Sequence, residues 1–185
     1  DAPHVARKAE PGQFIILRVD ADGERIPLTI ADFDREKGAV TIIFQEVGAT
    51  TMALGALSEG DCLHDFVGPL GKASEFDGMH KVAVVGGGLG CAIAYPQAKK
   101  LHELGCQVDL IAGFRSKDIV ILEDEMKAAS TNLYIMTDDG SNGNKGFVTD
   151  KLKELIEAGN QYDAVIAIGP MIMMKFVCEV TRPYG

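Results

Sequence analysis

The sequence predicts a small antiparallel β barrel or sandwich followed by an α/β domain built on a parallel sheet. Three observations carry this. The apolar run from Val82 to Val85 ends in Gly86-Gly87-Gly88, and a helix-like run, Ile93 to Leu104, follows. After Lys81, strand-length apolar runs alternate with helical periodicity, as a parallel sheet with crossover helices requires. Before residue 75, short β-branched runs are separated by Gly/Asp turns, as in barrels and sandwiches.

In the first part, strands are expected over 14–19, 25–31, 39–47 and 61–67. Asp32 to Gly38 reads as a polar turn. Thr51 to Leu57 reads as one helix, opened by Gly48-Ala49-Thr50. Gly68-Pro69-Leu70-Gly71 breaks the pattern, and 72–80 reads as a linker. The expected domains are therefore 1–75 and 76–185. In the second, strands are expected over 81–86, 107–112, 133–137 and 163–168, with helices near 89–104, 118–129, 147–158 and 170–180. Val148, Leu152, Leu155 and Ile156 fall on one helical face. Pro170 after Gly169 suits a first helical turn, where a missing N–H does no harm.

Composition narrows the function. The chain has 185 residues, is 46% hydrophobic and carries a net charge of −9. No basic run exists to neutralise phosphates, so a nucleic-acid partner is excluded. No apolar stretch approaches the roughly 20 residues of a spanning helix, so membrane insertion is not expected. No signal peptide is visible, which points to the cytoplasm. Cys62, Cys91, Cys106 and Cys178 show no C-x-x-C spacing and read as buried, reduced thiols rather than metal ligands. The histidines form no ligand pair. Neither end resembles a natural terminus, so the chain reads as a piece of a longer protein.

Strand, glycine turn and helix place backbone N–H groups and a helix N-terminus against a phosphate. The turn departs from G-x-G-x-x-G, because Cys91 stands where a third glycine would fall. Asp109 has roughly the spacing of a ribose-binding acid but lies inside its strand. A β domain followed by a nucleotide domain suggests two ligands meeting in a cleft.

Four motifs stand in order: Arg25-Ile26-Pro27-Leu28-Thr29-Ile30; Gly48-Ala49-Thr50-Thr51 followed by Gly68-Pro69-Leu70-Gly71; Gly86-Gly87-Gly88-Leu89-Gly90; and Gly169-Pro170-Met171-Ile172-Met173-Met174. Their order resembles the ferredoxin–NADP reductase superfamily over nearly the whole chain. The likeness is nearest to small flavin-bearing subunits of bacterial multi-subunit reductases: those of NADH-dependent reduced-ferredoxin:NADP oxidoreductase, sulfide dehydrogenase and dihydroorotate dehydrogenase. The stretch from Gly23 to Asp32 is most similar to the first two. Thr137-Asp138-Asp139-Gly140-Ser141 with Gly146 is common to all three.

The resemblance implies an FAD-dependent electron-transfer subunit that passes hydride between NAD(P)H and flavin, and single electrons to an iron–sulfur partner. That partner is a larger iron–sulfur flavoprotein subunit or a ferredoxin. Pro27, Leu28 and Thr29 align with the family's flavin strand, and Thr29 takes the place of the hydroxyl near flavin N5. The family's arginine position falls on Ile26. Arg25, displaced by one, either reaches the pyrophosphate or is an exposed arginine on the other strand face. Gly48, Thr50 and Thr51 offer N–H groups and hydroxyls to the flavin pyrophosphate. Gly68, Pro69, Leu70 and Gly71 lie beside the flavin ring or form a plain turn.

Gly86, Gly87, Gly88, Leu89 and Gly90 take the nicotinamide dinucleotide pyrophosphate. Gly169, Pro170 and Met173 match C-G-P-x-x-M, with Ile168 in place of the cysteine. Met171, Met173 and Met174 otherwise read as helix core. Arg115 and Ser116 leave NADP(H) open, whereas Asp138 and Asp139 would repel a 2′-phosphate and favour NAD(H). A [2Fe–2S] cluster belongs, by the resemblance, to a cysteine-rich segment beyond Gly185. The runner-up is the dihydroorotate dehydrogenase electron-transfer subunit. A non-catalytic nucleotide-binding module is the third reading, given weight by Ile26 and Ile168.

Overall fold

Burial alternates along β1 (Phe14–Arg18): Ile15 and Leu17 are fully buried, and Phe14, Ile16 and Arg18 on the other face are half-buried. The computed structural model describes residues 1–184 and separates into two units, Asp1–Glu75 and a second beginning at Phe76. In the first, β1 pairs antiparallel with β2 (Ile26–Asp34) and β4 (Asp65–Leu70), and β2 pairs antiparallel with β3 (Ala39–Ile42). The sheet order β3-β2-β1-β4 is a Greek key: three hairpin-connected strands and a fourth returning beside the first. Two short helices, α1 (Pro3–Ala6) and α2 (Ala49–Gly55), close the core. Val5, Ala9, Ile15, Leu17, Ile30 and Leu54 bury together there.

Several elements depart from the sequence expectation. β2 runs on to Asp34, because Phe33 packs on the core; the Asx turn comes later, where Asp34 Oδ1 accepts the Glu36 and Lys37 N–H groups. β3 stops at Ile42, opposite Ile30, just past a register shift in its pairing with β2. β4 starts at Asp65, opposite Arg18, where β1 ends. Gly68-Pro69-Leu70 belongs to β4 rather than to a turn. Gly68-Pro69, joined by a cis bond, lies at a register shift on an edge strand, where a residue without N–H is tolerated. α1 was not foreseen, since four residues carry no periodicity; the Ala2 N–H donates to Gly38 O and Pro3 packs on Gly38.

The second unit alternates strand and helix: β5 (Lys81–Gly87), a 3₁₀ turn (Gly88–Gly90), α3 (Cys91–Glu103), β6 (Gln107–Phe114), α4 (Glu123–Ala128), β7 (Asn132–Thr137), α5 (Val148–Glu157), β8 (Ala164–Ile168) and α6 (Met171–Thr181). All pairings are parallel, in the order β7-β6-β5-β8. One apolar cluster unites Val82, Val84 and Leu110 with Ala94, Ala98 and Leu101 of α3 and Met126 of α4. The other unites Ala83, Val85 and Ile111 with Val148, Leu152 and Leu155 of α5 and Val177 of α6. Helices thus cover both faces, and the chain reverses direction across the sheet between β5 and β8. Ligands of open α/β sheets bind outside the carboxyl ends of the strands at such a point. No described helix is long and apolar enough to cross a membrane.

Polar groups fasten the opposite end of the sheet. Asp109 is 3% exposed, and its carboxylate accepts the Tyr162 hydroxyl and the Asn132 amide, each at 2.7 Å. Burial and this carboxylate push the Tyr162 phenol well above its usual range. Asp163 Oδ2 accepts the N–H groups of His80 at 2.7 Å and Lys81 at 2.8 Å, and the Lys81 bond is the larger cause holding that carboxyl below its usual value.

Two outcomes follow. Leu152→Ala should cost about 2–5 kcal/mol of unfolding free energy, read by denaturant titration, because a fully buried side chain leaves a cavity. Asp163→Asn should flatten the acid limb of stability: the depressed carboxyl stabilises above the unfolded value near 4 and loses that contribution as pH falls through the folded value. An unchanged acid limb in thermal melts would contradict this.

Candidate nucleotide-binding site

At the carboxyl end of β5, glycine permits a backbone approach that no other residue allows. A Cβ on Gly90 would collide with the Ile168 carbonyl oxygen and stand 2.8 Å from Gly169 Cα. On Gly87 it would stand 2.5 Å from Met173 Sδ and 3.1 Å from Pro170 Cδ; on Gly169, 3.1 Å from Gly87 N. The Gly86–Gly90 turn and the Gly169-Pro170 corner, far apart in sequence, therefore form one seam. Gly88 differs. It has φ +55°, and a Cβ there would meet nothing within 4 Å. Its backbone faces open space at the start of α3, whose first N–H groups have no intrahelical acceptor.

Beneath the seam lies Cys91. Its Sγ would meet a Gly86 Cβ at 2.8 Å. Burial pushes its thiol up to about 12, so it stays neutral. Cys106 is likewise buried, with its thiol on the Met79 carbonyl at 3.1 Å. Cys62 and Cys178 correct the expectation of four buried thiols: both are exposed, Cys62 in the irregular stretch before β4 and Cys178 on the outer face of α6. Met173 packs in the core cluster as expected, but Met171, at the first turn of α6, is 82% exposed.

The loops after β6 and β7 lie side by side. The Asp138 N–H donates to Phe114 O at 3.0 Å, and the Asp139 N–H to Arg115 O at 3.3 Å. Arg115-Ser116 and Asp138-Asp139 are thus brought together at the same edge of the sheet as the glycine seam. Asp139 Oδ1 accepts the Ser141 hydroxyl at 2.7 Å and the Ser141 N–H at 2.9 Å; the hydroxyl bond is the main cause lowering the Asp139 carboxyl. Sequence reasoning gave Ser141 and Lys117 no role. The signal available was the density of Asp, Ser, Asn and Gly from 138 to 146, which marks side chains that bond their own backbone.

In the first unit, Ile26, Leu28 and Ile30 face the core, so Pro27 and Thr29 lie on the other face. Thr29 stands opposite Phe14, and Phe14 opposite Leu70, in one cross-strand row. Gly71, with φ +78°, would place a Cβ 2.9 Å from the Phe14 ring. The structure thereby joins Thr29 to the Gly68–Gly71 motif. Gly48 caps α2. The Thr51 hydroxyl accepts the Val47 and Gly48 N–H groups at 3.0 Å, and the Thr50 hydroxyl donates to Glu24 at 3.4 Å. Arg25 is exposed and pairs with Asp65 Oδ2 at 3.1 Å, which also lies 2.9 Å from Arg18 Nε. Arg25 is the main cause holding the Asp65 carboxyl low.

Comparison with known proteins agrees with this geometry. Residues 84–179 match the family described as the oxidoreductase NAD-binding domain. A Clostridium beijerinckii protein, "Uncharacterized protein in adh 3'region", is 53% identical across the whole chain, which covers 65% of it. A Thermotoga maritima protein named as a homolog of the dihydroorotate dehydrogenase B (NAD(+)) electron transfer subunit is 44% identical, again across the whole chain and 64% of the relative. A chain in the solved structure of an NADH-dependent reduced ferredoxin-NADP oxidoreductase, described for flavin-based electron bifurcation, superposes with TM-score 0.91 at 40% identity. All of this chain and 66% of that one are covered. The chain spans a little under two thirds of the length of the relatives it matches. With the glycine seam at the switch point of a parallel sheet and a family match across it, the chain belongs to the NAD-binding oxidoreductases of ferredoxin reductase type.

Proposed function

We propose that the protein is an FAD-dependent electron-transfer subunit that exchanges hydride with a nicotinamide dinucleotide and hands single electrons to an iron–sulfur partner. That partner is a larger iron–sulfur flavoprotein subunit or a ferredoxin. The observation that carries the reading is Gly88: a left-handed residue facing open space, next to glycines that pack backbone on backbone. A turn needed only for packing would not require glycine at an open position except for its φ. An approaching pyrophosphate requires both the φ and the space.

The fit of each nucleotide can be stated from this chain's residues. Gly86, Gly87, Gly88, Leu89 and Gly90 would hold the dinucleotide pyrophosphate, with Gly169, Pro170 and Met173 forming the opposite wall. Asp138 and Asp139 would meet the adenosine ribose, which favours NAD(H), while Arg115 and Ser116 flank it. Thr29 would donate to the flavin, with Pro27, Leu28, Gly68, Pro69, Leu70 and Gly71 around it. The first N–H groups of α2, with Gly48, Thr50 and Thr51, would take the flavin pyrophosphate. Arg25 contributes little charge there while Asp65 holds it. When bound, the flavin converts a two-electron donor into one-electron steps. The chain's own work is to hold each nucleotide and to supply one hydroxyl. All four cysteines are free, which suits the cytoplasm. The Thermotoga maritima relative supports a second reading, electron transfer to a dihydroorotate dehydrogenase.

Full-length protein should purify with, or take up, FAD and show flavin absorption that bleaches anaerobically with NADH. A colourless protein that refuses FAD overturns the reading in favour of a non-catalytic module. Thr29→Ala should keep FAD and slow the bleaching about five- to tenfold, the worth of one hydrogen bond.

Gly88→Ala and Gly90→Ala should separate binding from folding. The first costs about 1–2 kcal/mol for its left-handed backbone yet loses NADH affinity at least about tenfold, because its methyl occupies the phosphate's space. The second should lower Tm sharply as well, since backbone must move. Equal NADH affinity in Gly88→Ala and wild type would refute the pyrophosphate assignment.

A further inference from the structure

The strands β6 and β7 end their pairing at Phe114 and Thr137, yet the two loops beyond stay tied. Two backbone bonds extend the contact, from Asp138 to Phe114 and from Asp139 to Arg115. A third tie is made by a side chain. Ser141 Oγ accepts the Lys117 N–H at 2.7 Å and donates to Asp139 Oδ1 at 2.7 Å. One hydroxyl thus serves as acceptor for one loop and donor to the other.

The rest of the 137–146 loop is built to hold that hydroxyl still. The Thr137 hydroxyl bonds Asn142 Oδ1 at 2.7 Å, and the Asn142 and Asn144 amides both donate to Ile135 O, at 2.8 and 3.2 Å. The Thr137 N–H donates to Asn144 O, and the Gly146 N–H to Thr137 O. Gly140, Gly143 and Gly146 take left-handed backbone to allow it. A loop without regular structure, bonded through its own side chains and set at the ligand-binding edge of a parallel sheet, holds something in place.

We propose that Ser141 is a positioning residue for the adenosine-ribose end of the nicotinamide dinucleotide. Its hydroxyl clamps Asp139 Oδ1 against the Lys117 amide, so that the carboxylate is presented to a ribose 2′-hydroxyl and set against a 2′-phosphate. The inference rests on the reading that this edge binds the dinucleotide. Oδ2 lies outside the clamp. The same hydroxyl bond keeps the carboxyl low, so Asp139 is charged near neutral pH. An ionised carboxylate accepts from a ribose hydroxyl and repels a phosphate. Without the clamp the side chain recovers its rotamers, and the loop carrying Arg115 and Ser116 loses its tie to the one carrying Asp139.

The test uses full-length, FAD-loaded protein, with NAD⁺, NADP⁺ and ADP-ribose titrated by calorimetry and reduced nicotinamide mononucleotide as a donor lacking adenosine. Ser141→Ala should weaken NAD⁺ and ADP-ribose about tenfold and narrow the gap between NAD⁺ and NADP⁺. It should raise KM for NADH with kcat unchanged, leave kcat/KM for the mononucleotide unchanged, and speed amide exchange at Lys117. Ser141→Thr, which keeps the hydroxyl, should restore affinity. Asp139→Asn keeps the acceptor oxygen and removes the charge, so it should improve NADP⁺ relative to NAD⁺ and stands in if Ser141→Ala fails to fold. Wild-type affinities in Ser141→Ala, or equal losses for NADH and the mononucleotide, overturn the proposal. A wild-type protein that binds none of the three nucleotides overturns the functional reading itself.

Discussion

The second unit depends on how closely two pieces of backbone approach at the carboxyl edge of its sheet. Gly90 lies against the Ile168 carbonyl and Gly169 against Gly87, and none of these contacts leaves room for a Cβ. The approach seats the N-terminus of α3 and the corner into α6 at one place, where β5 and β8 adjoin. A side chain at either position would push the corner outward and carry α6 with it, since Val177 and Met173 of that helix pack into the cluster below. Packing and ligand geometry are therefore one constraint. The glycines that let the backbone close up are neighbours of Gly88, the glycine that faces open space.

The sheet distributes its chemistry by end. At the amino end of the strands, polar groups are spent on structure: Asp109 is sealed by Tyr162 and Asn132, and Asp163 caps the N–H groups that enter β5. A buried polar side chain such as Asp109 is tolerated only when its hydrogen-bonding capacity is met. At the carboxyl end, the Asp139 and Arg115 loops remain at the surface, bonded enough to be rigid and exposed enough to meet a ligand. The placement of Asp109 and Asp139 explains why spacing alone misleads. Asp109 has the interval of a ribose-binding acid but sits inside a strand. Asp139 lies after a strand, where side chains are free to face a nucleotide.

How far the fold was legible follows from the same physics. The parallel sheet could be read because β5 and β6 are buried apolar runs, β8 is a half-buried one, and Val148, Leu152, Leu155 and Ile156 announce one helical face. The Greek-key sheet was legible as strands but not in its limits, which partners decide. β3 ends where β2 stops pairing with it, and residues 43–47 remain irregular despite β-branched composition. Gly68-Pro69 looked like punctuation, yet an edge strand with a register shift absorbs both residues. In the site, the glycine seam was legible as two motifs. That they meet was not, because contact between Gly90 and Ile168 is a property of the strand order. Ser141 closes the Thr137-Asp138-Asp139-Gly140-Ser141 motif, but its double role depends on the Lys117 amide arriving from another loop.

The phosphate sites proposed for the two units rest on the same device, backbone N–H groups, and this bears on the departure at Ile26. A displaced arginine costs little if backbone carries the charge. In the first unit Asp65 engages Arg25 and lies beside Arg18, so its carboxylate offsets one of the two positive charges. On the proposed reading a phosphate there would meet the N–H groups at α2, whose loop the Thr51 hydroxyl holds by accepting from Val47 and Gly48. In the second unit there is likewise no cation in the glycine turn, only N–H groups and the dipole of α3. Fixed dipoles need no counter-charge and pay no side-chain entropy when a ligand arrives, whereas a long cationic side chain must be ordered. On the proposed reading, a chain of net charge −9 has reason to bind dinucleotides through backbone, which screens a phosphate locally without altering the acidic field around it.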